Sequence, residues 1–127
     1  MVGADTGIEI CWADGVKVYH NTVLTSDSEN GNGIHYHWRG LSGVHIANNL
    51  VRGRIHGDQE GVTVENNLTT GIEDSWFADV SSGDLHLTPS AAPAIDQVDR
   101  LADCLTDFDE EPRPAEPGMC DYGADEY

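Results

Sequence analysis

The chain has 127 residues, with 23 Asp and Glu against six Lys and Arg, and its formal net charge is −17. Nucleic acid, anionic lipid and acidic polysaccharide are therefore disfavoured as partners, because each carries charge of the same sign. The sequence has no apolar run of about eighteen residues, so it predicts no membrane insertion, and its first residues lack a signal-peptide pattern.

The first half of the chain repeats one short pattern. Each copy has a glycine, an alternating apolar segment, an asparagine and a second apolar or β-branched pair, which predicts a strand, a tight turn and another strand. The copies are residues 15–23, 43–51 and 61–69. A third short strand is predicted between or beside them. Its copies are residues 7–10, 33–36, 53–56 and 71–74.

A chain that cycles through three short strands can pair equivalent strands only in parallel, at about 4.8 Å. The sequence therefore predicts an all-β parallel β-helix of about four rungs, each with three short strands. Residues 1–75 are expected to form the rungs, and residues 76–127 an irregular C-terminal cap on the last rung of the same domain. A parallel-sheet sandwich or an irregular all-β domain is the alternative. The side chains predicted to stack inside are Val16, Val18, Val44, Ile46, Val62 and Val64.

The asparagines of the repeat occupy one alignment position: Asn21, Asn49 and Asn67. Asparagine tolerates left-handed backbone and bonds to its own neighbours, which suits a tight corner. Stacked once per rung, each amide can also donate to the next asparagine and satisfy polar groups at the corner. The sequence predicts an asparagine ladder here.

The two ends of the chain give weaker predictions. Only six residues precede the first predicted strand at Gly7, so the first rung has no predicted cap. Either another subunit covers it, which gives a homo-oligomer, or the chain is part of a longer protein. In the tail, the sequence predicts a strand at residues 85–87 and a short helix at residues 97–104. Cys104 and Cys120 are expected either to form a disulfide or to remain free thiols, and Cys11 to pack internally.

Two stretches of the tail resemble a known family. Residues 77–89 followed by 92–96, and residues 107–114 with 121–127, resemble the C-terminal end of bacterial "choice-of-anchor" β-helix proteins in the pectin-lyase-like superfamily. Family ends more often have Ser-Pro-Ala-Ile-Asp, Asp-Gly-x-Pro-Arg and Asp-Ile-Gly-Ala-x-Glu, from which Ala92, Glu110 and Tyr122 depart. The resemblance implies a right-handed parallel β-helix, a secreted or surface location and a substrate groove along an outer sheet wall. It implies no single activity, because the superfamily includes lyases, hydrolases and epimerases.

Candidate catalytic residues lie on the outer face of the third strand. If its isoleucines point inward, alternation places Glu9, His35, His56 and Glu73 in one exterior column, with neighbours about 5 Å apart. Titratable side chains on a rigid wall can act as general acid and base, in a polysaccharide lyase or a glycoside hydrolase. Three further charged residues are close in sequence. They are Arg39, predicted as catalytic, and Asp58 and Asp74, predicted as substrate-binding.

A metal site is the second hypothesis for the same wall. His35 and His37 share one strand face, and His56 from the next rung can complete three imidazole ligands for zinc or copper with one open position. Calcium held between the Asp- and Glu-rich corners is the other divalent ion expected of so acidic a chain.

Exposed aromatic residues favour a binding module instead. Sugars stack on aromatic faces, and Trp12 and Trp38 are predicted as substrate-binding residues beside the histidines. The sequence thus predicts a surface or secreted β-helix domain that binds carbohydrate along an outer wall and can process it. The alternative is a structural or assembly domain without a small ligand, which forms oligomers through its open N-terminal rung.

Overall fold

The protein is all-β and is built mainly from parallel strands. The computed structural model describes residues 2–4, 6–25 and 31–127. Among these residues, nine strands form three parallel sheets and two more form an antiparallel pair. The strands are β1 (Val2–Ala4), β2 (Thr6–Ile10), β3 (Lys17–Tyr19), β4 (Thr22–Thr25), β5 (Asn32–Tyr36), β6 (Val44–Ala47), β7 (Leu50–Arg52), β8 (Arg54–Gly57), β9 (Val62–Glu65), β10 (Phe77–Asp79) and β11 (Asp84–Leu87). Within the described ranges, 3-10 helices span Asp74–Trp76, Val80–Ser82 and Pro89–Ala91.

The three parallel sheets are the walls of a coil. Wall A contains β1, β4 and β7, wall B contains β2, β5 and β8, and wall C contains β3, β6 and β9. The chain visits the walls in the order A, B, C and returns to wall A each time. Each strand therefore pairs with its equivalent one turn later, which gives a parallel β-helix-like fold, as the sequence repeat predicts.

The registers follow the sequence alignment closely. In wall C, Lys17 pairs with His45 and His45 with Thr63, while Val18 pairs with Ile46. Alternation then directs the valine and isoleucine side chains into the coil. Of the residues predicted inside, Val18, Val44 and Ile46 are buried and Val16 and Val62 are partly buried. Val64 is 41% exposed, because β9 is the last strand of its wall and pairs with no further strand in the described part of the chain.

The asparagine ladder is present. Asn21 Nδ2 donates to Asn49 Oδ1 at 2.9 Å, and Asn49 Nδ2 donates to Asn67 Oδ1 at 2.8 Å. The left-handed residue at each corner is the preceding one, with φ of 48° at His20 and 59° at Asn48. The ladder asparagine therefore serves as a hydrogen-bonding residue, and its neighbour makes the turn.

The C-terminal segment packs against the outer face of wall A. Leu24 of β4 and Leu50 of β7 belong to a cluster with Trp76, Phe77 and Leu87, whereas Val23 and Val51 face the coil interior. Strands β4 and β7 of wall A are therefore buried on both faces. The backbone N–H groups of Gly123 and Ala124 add bonds to Asn48 O and Thr22 Oγ1. The sequence predicted that this segment packs on the last rung; its cluster includes Leu68 of that turn and also Leu24 and Leu50 of earlier turns.

Four local predictions are wrong. Residues 71–74 form no strand, and Ile72 joins the cluster outside wall A instead of the coil interior. Residues 97–104 contain no helix, since their backbone is held by an antiparallel bridge between Val98 and Cys120. A strand, β1, precedes the predicted first strand and pairs with β4. Cys11 is exposed instead of packed internally.

A buried arginine organises the end of the tail. Arg113 is 2% exposed and pairs with Glu126, and its Nη2 donates to the carbonyls of Gly123 and Ala124 at 3.0 and 3.1 Å. The three cysteines are free thiols, and burial raises the pKa of Cys120 to about 11. The tail is therefore joined by polar side-chain bonds and not by a disulfide.

Candidate functional site on the outer face of wall B

The predicted column of titratable residues forms on wall B. Glu9 of β2 pairs with His35 of β5, and His35 pairs with His56 of β8. Their neighbours Ile8, Ile34 and Ile55 pack in the coil interior, so alternation directs the column outward. Glu73 is not in this column, because no strand forms at residues 71–74.

The three imidazole rings of this wall are stacked. The ring centroids of His35 and His37 are 4.2 Å apart with an interplanar angle of 3°, and those of His35 and His56 are 4.4 Å apart at 19°. His37 lies one residue beyond β5, where its backbone N–H donates to the carbonyl of Ile10 at 3.0 Å. Its Nε2 bonds to Glu9 Oε1. Two adjacent strands thus fix a row of rings with a carboxylate beside it.

Glu9, His35 and His37 have the spacing of a metal site. Each offers one ligand atom, and the three atoms lie within 4.8 Å of one another. His56 is outside this set, since its Nε2 bonds to Asn32 Oδ1 at 2.8 Å. Burial lowers the pKa of His56, and the nearby His35 and Arg54 lower it further. The sequence predicted His35, His37 and His56 as the ligand set. In the structure, Glu9 takes the place of His56 in that set.

Two exposed tryptophans follow this wall at its corner. Because β2 and β5 pair with an offset of 26 residues, Trp12 and Trp38 occupy equivalent positions on neighbouring turns. They are 75% and 62% exposed, and both have left-handed backbone, with φ of 50° and 64°. The Trp38 ring lies 5.2 Å from the His37 ring, and the Trp12 ring covers Gly40. The structure thus presents one indole beside His37 and an equivalent indole on the preceding turn.

The remaining predicted residues are divided between two walls. Arg39 and Asp58 are exposed, and they follow wall B strands β5 and β8 in the chain. Asp74 pairs instead with Arg52 of wall A at 2.5 Å, so it is away from the histidine column. Arg39 and Asp58 therefore lie just after strands of wall B in the chain, whereas Glu73 and Asp74 are not part of this wall.

A polar network on wall C was not predicted. Tyr19 Oη lies 2.6 Å from His45 Nδ1, and His45 Nε2 lies 2.7 Å from Glu65 Oε1. The residues come from three successive strands, β3, β6 and β9. The sequence could have indicated these three residues, because the alignment of the repeat copies places each of them at an outward-facing position.

The comparisons with known proteins assign the chain to no family. No protein-family model matches the chain, and neither the curated proteins nor the solved structures include a match. Among the described residues, no helix has the length and apolar character needed to cross a bilayer. Functional inference therefore depends on the geometry of wall B and its corner.

Proposed function

We propose that this protein is a secreted or cell-surface β-helix domain that binds carbohydrate along wall B. The observation that carries the proposal is the pair of exposed tryptophans at equivalent positions after two neighbouring strands of wall B. A bulky residue with positive φ is strained by about 1–3 kcal/mol, and such residues cluster at binding sites. Exposing two large apolar rings adds a further cost that a ligand would remove. The tail's resemblance to pectin-lyase-like proteins supports a secreted or surface location and a groove along an outer sheet wall.

The chemistry of the surface suits a neutral glycan. Indole faces can stack against sugar rings, while the imidazoles, Glu9 and Asp58 offer hydrogen bonds to hydroxyl groups. The net charge of −17 opposes binding of uronic-acid polymers. A neutral oligosaccharide lying across successive turns of the coil is therefore the proposed ligand.

We also propose that Glu9, His35 and His37 hold a divalent transition metal at this surface. Two imidazoles favour zinc or a neighbouring first-row metal over calcium, which prefers oxygen ligands alone. Three protein ligands leave a coordination position open, as in catalytic zinc sites. A sugar hydroxyl can occupy that position, which would couple metal binding to glycan binding.

Catalysis is a second function of the same wall. The bonded pair Glu9 and His37 supplies a base and an acid next to the tryptophans, and proton transfer of this kind drives both lyase and hydrolase reactions. An enzyme would release shortened glycans, and a His35→Ala variant would lose that turnover. A binding module would release no products from any glycan.

Assembly is the alternative from a different class. Strands β8 and β9 are the last strands of their walls, and no described strand pairs with their outer edges. A groove of about 620 Å³ beside them is lined by Ile55, His56, Val64 and Glu65. Such an edge can pair with a second copy. This groove is at the opposite end of the coil from the predicted uncapped rung. Concentration-dependent sedimentation without glycan binding would favour this alternative.

The test of the proposal is calorimetric titration with a panel of neutral oligosaccharides. We expect binding to at least one glycan class, and a loss of about tenfold or more in affinity for Trp38→Ala and for Trp12→Ala. Tyr127→Ala is the matched control, because Tyr127 is also exposed but belongs to the tail. Chelator treatment and His37→Ala are expected to weaken the same binding. Equal affinity of the tryptophan variants and the control, or no binding to any glycan, would refute the proposal.

A further inference from the structure

We propose that the C-terminal segment holds a second divalent transition-metal ion through His86, Asp109 and Asp125. This site is separate from wall B and does not depend on the proposed carbohydrate function. One ligand atom from each of the three residues lies within 4.8 Å of the others. The three come from different parts of the tail, namely β11, the turn after Asp107 and the last three residues.

His86 is already oriented for metal binding. Its Nδ1 lies 2.5 Å from Asp84 Oδ1, and its ring contacts Phe108 with centroids 5.0 Å apart. Donation of Nδ1–H to a carboxylate fixes the tautomer of a metal-bound histidine and leaves Nε2 as the ligand. In the structure that Nε2 lies 2.8 Å from Asp109 Oδ2. Asp84 is therefore a positioning residue, and Nε2 faces the carboxylates that complete the site.

The Asp125 carboxylate is bonded to the backbone, and the Asp109 carboxylate is carried by a fixed turn. Asp125 is 5% exposed, and its Oδ2 accepts the N–H of Leu87 at 2.6 Å. Its Oδ1 has no hydrogen-bond partner within the described part of the chain. The turn carrying Asp109 is fixed by the buried Asp107, whose Oδ1 accepts the N–H groups of Asp109 and Glu111 at 2.9 and 2.8 Å. A ligand set fixed this way requires little ordering when an ion binds.

The donors define the class of ion. One imidazole with two carboxylates suits zinc or manganese, whereas calcium needs six to eight oxygen ligands and magnesium retains most of its waters. A bound ion would replace the hydrogen bond between His86 Nε2 and Asp109, and the proton on Nε2 would be released to solvent. It would join three segments of the tail that covers wall A, so its binding energy would stabilise the folded state.

The experiment is a titration of the full chain with ZnCl₂, followed by calorimetry and by thermal unfolding. We expect about two sites in the parent protein and about one in Asp109→Asn. The parent's Tm should rise by about 5–10 °C at a zinc concentration near 100 times Kd. The rise in Tm should be smaller in Asp109→Asn, because this variant lacks the tail site. Glu110→Gln is the matched control, since it removes one neighbouring charge of the same turn and leaves the proposed ligands in place.

The variants distinguish the two sites. His37→Ala removes a ligand of the proposed wall B site. Whether this variant binds one zinc fewer than the parent protein therefore tests only the wall B site. If Asp109→Asn and Glu110→Gln lower zinc binding equally, the effect is general electrostatics and the tail site is refuted. Full zinc binding in Asp109→Asn refutes it as well. Nitrogen NMR of the histidine side chains gives a second readout, since zinc should shift His86 Nε2 in the parent and in His37→Ala.

Discussion

At the scale of single residues, the left-handed corner position has a chemical consequence at His20. Its ring is buried, with Nδ1 donating to the carbonyl of Asp121 at 3.1 Å and Nε2 accepting from the Asn48 amide at 3.0 Å. Only a neutral imidazole can make both bonds. Burial lowers the pKa of His20 to about 4, and Arg113 contributes to the decrease.

This arrangement makes stability depend on pH. The folded-state pKa of His20 is below the unfolded value of 6.5, so the unfolded chain takes up a proton first as the pH falls. Stability contributed by neutral His20 is therefore present above about pH 6.5 and is lost progressively towards pH 4. We expect a loss of about 2–3 kcal/mol from this residue between pH 7.5 and 4.5.

The matched variant for this prediction is His20→Asn. Asparagine occupies the equivalent corner position at Asn48 and Asn66, both with positive φ, so the backbone should be retained. Urea unfolding of both proteins at four pH values isolates the histidine, because the carboxylates common to both largely cancel. A stability difference between parent and variant that does not change with pH would contradict the assignment.

Residue-level predictions from the sequence succeeded where the repeat determined register. Alternation along β2, β5 and β8 was enough to place Glu9, His35 and His56 together on one wall. It did not show that His37 turns back to Glu9, because that contact depends on the chain bending after β5. Nor did it reveal the strained backbone at Trp12 and Trp38, since their φ angles come from the corner and not from residue preference.

At the scale of the elements, the asparagine ladder joins the corners of successive turns. Asn49 is fully buried, and its Nδ2 donates to the carbonyls of Val18 and Ala47 at 2.9 and 3.0 Å as well as to Asn67. Its Oδ1 accepts both the backbone N–H and the side-chain amide of Asn21. One side chain thus satisfies polar groups on both adjacent turns.

We expect Asn49→Ala to lower the free energy of unfolding by about 3–5 kcal/mol. The substitution leaves several buried polar groups without partners, and each such group costs about 1–3 kcal/mol. Asn66→Gly is the control, because Asn66 is exposed and has a positive φ that glycine adopts freely. Urea denaturation measures both variants. A loss below about 1 kcal/mol for Asn49→Ala would show that water replaces the ladder bonds at little cost.

The position of the C-terminal segment also belongs to this scale. The sequence predicted a covering segment from its apolar and aromatic residues but placed it at the end of the coil. The signal for its actual location was in wall A, where Val23 and Leu24 are adjacent apolar residues, as are Leu50 and Val51. A strand that is apolar on both faces is buried on both faces. The strand predicted at residues 71–74 does not form, because those residues lead into this covering segment.

At the scale of the whole molecule, charge is the dominant feature. The 23 acidic residues outnumber the six basic ones by seventeen. The Lys17–Asp103 pair is exposed, the Arg52–Asp74 pair joins a mostly buried arginine to an exposed aspartate, and Arg113–Glu126 is buried. These few pairs neutralise a small part of the acidic charge. Repulsion among the remaining carboxylates opposes the compact state.

Added salt should therefore stabilise this protein. Raising NaCl from about 0.01 to 0.3 M shortens the Debye length from about 30 Å to below 8 Å, which screens repulsion between distant carboxylates. The exposed ion pairs lose little in return, since such pairs contribute only about 0–1 kcal/mol each. We expect Tm to rise by several degrees and to level off by about 0.3 M, measured with chelator present so that metal binding does not contribute. Screening saturates in this range, whereas preferential exclusion of salt would give a rise that continues in proportion to concentration. A Tm that falls with salt would mean that attractive pairs outweigh the repulsion, and that the acidic surface is compensated locally within the fold.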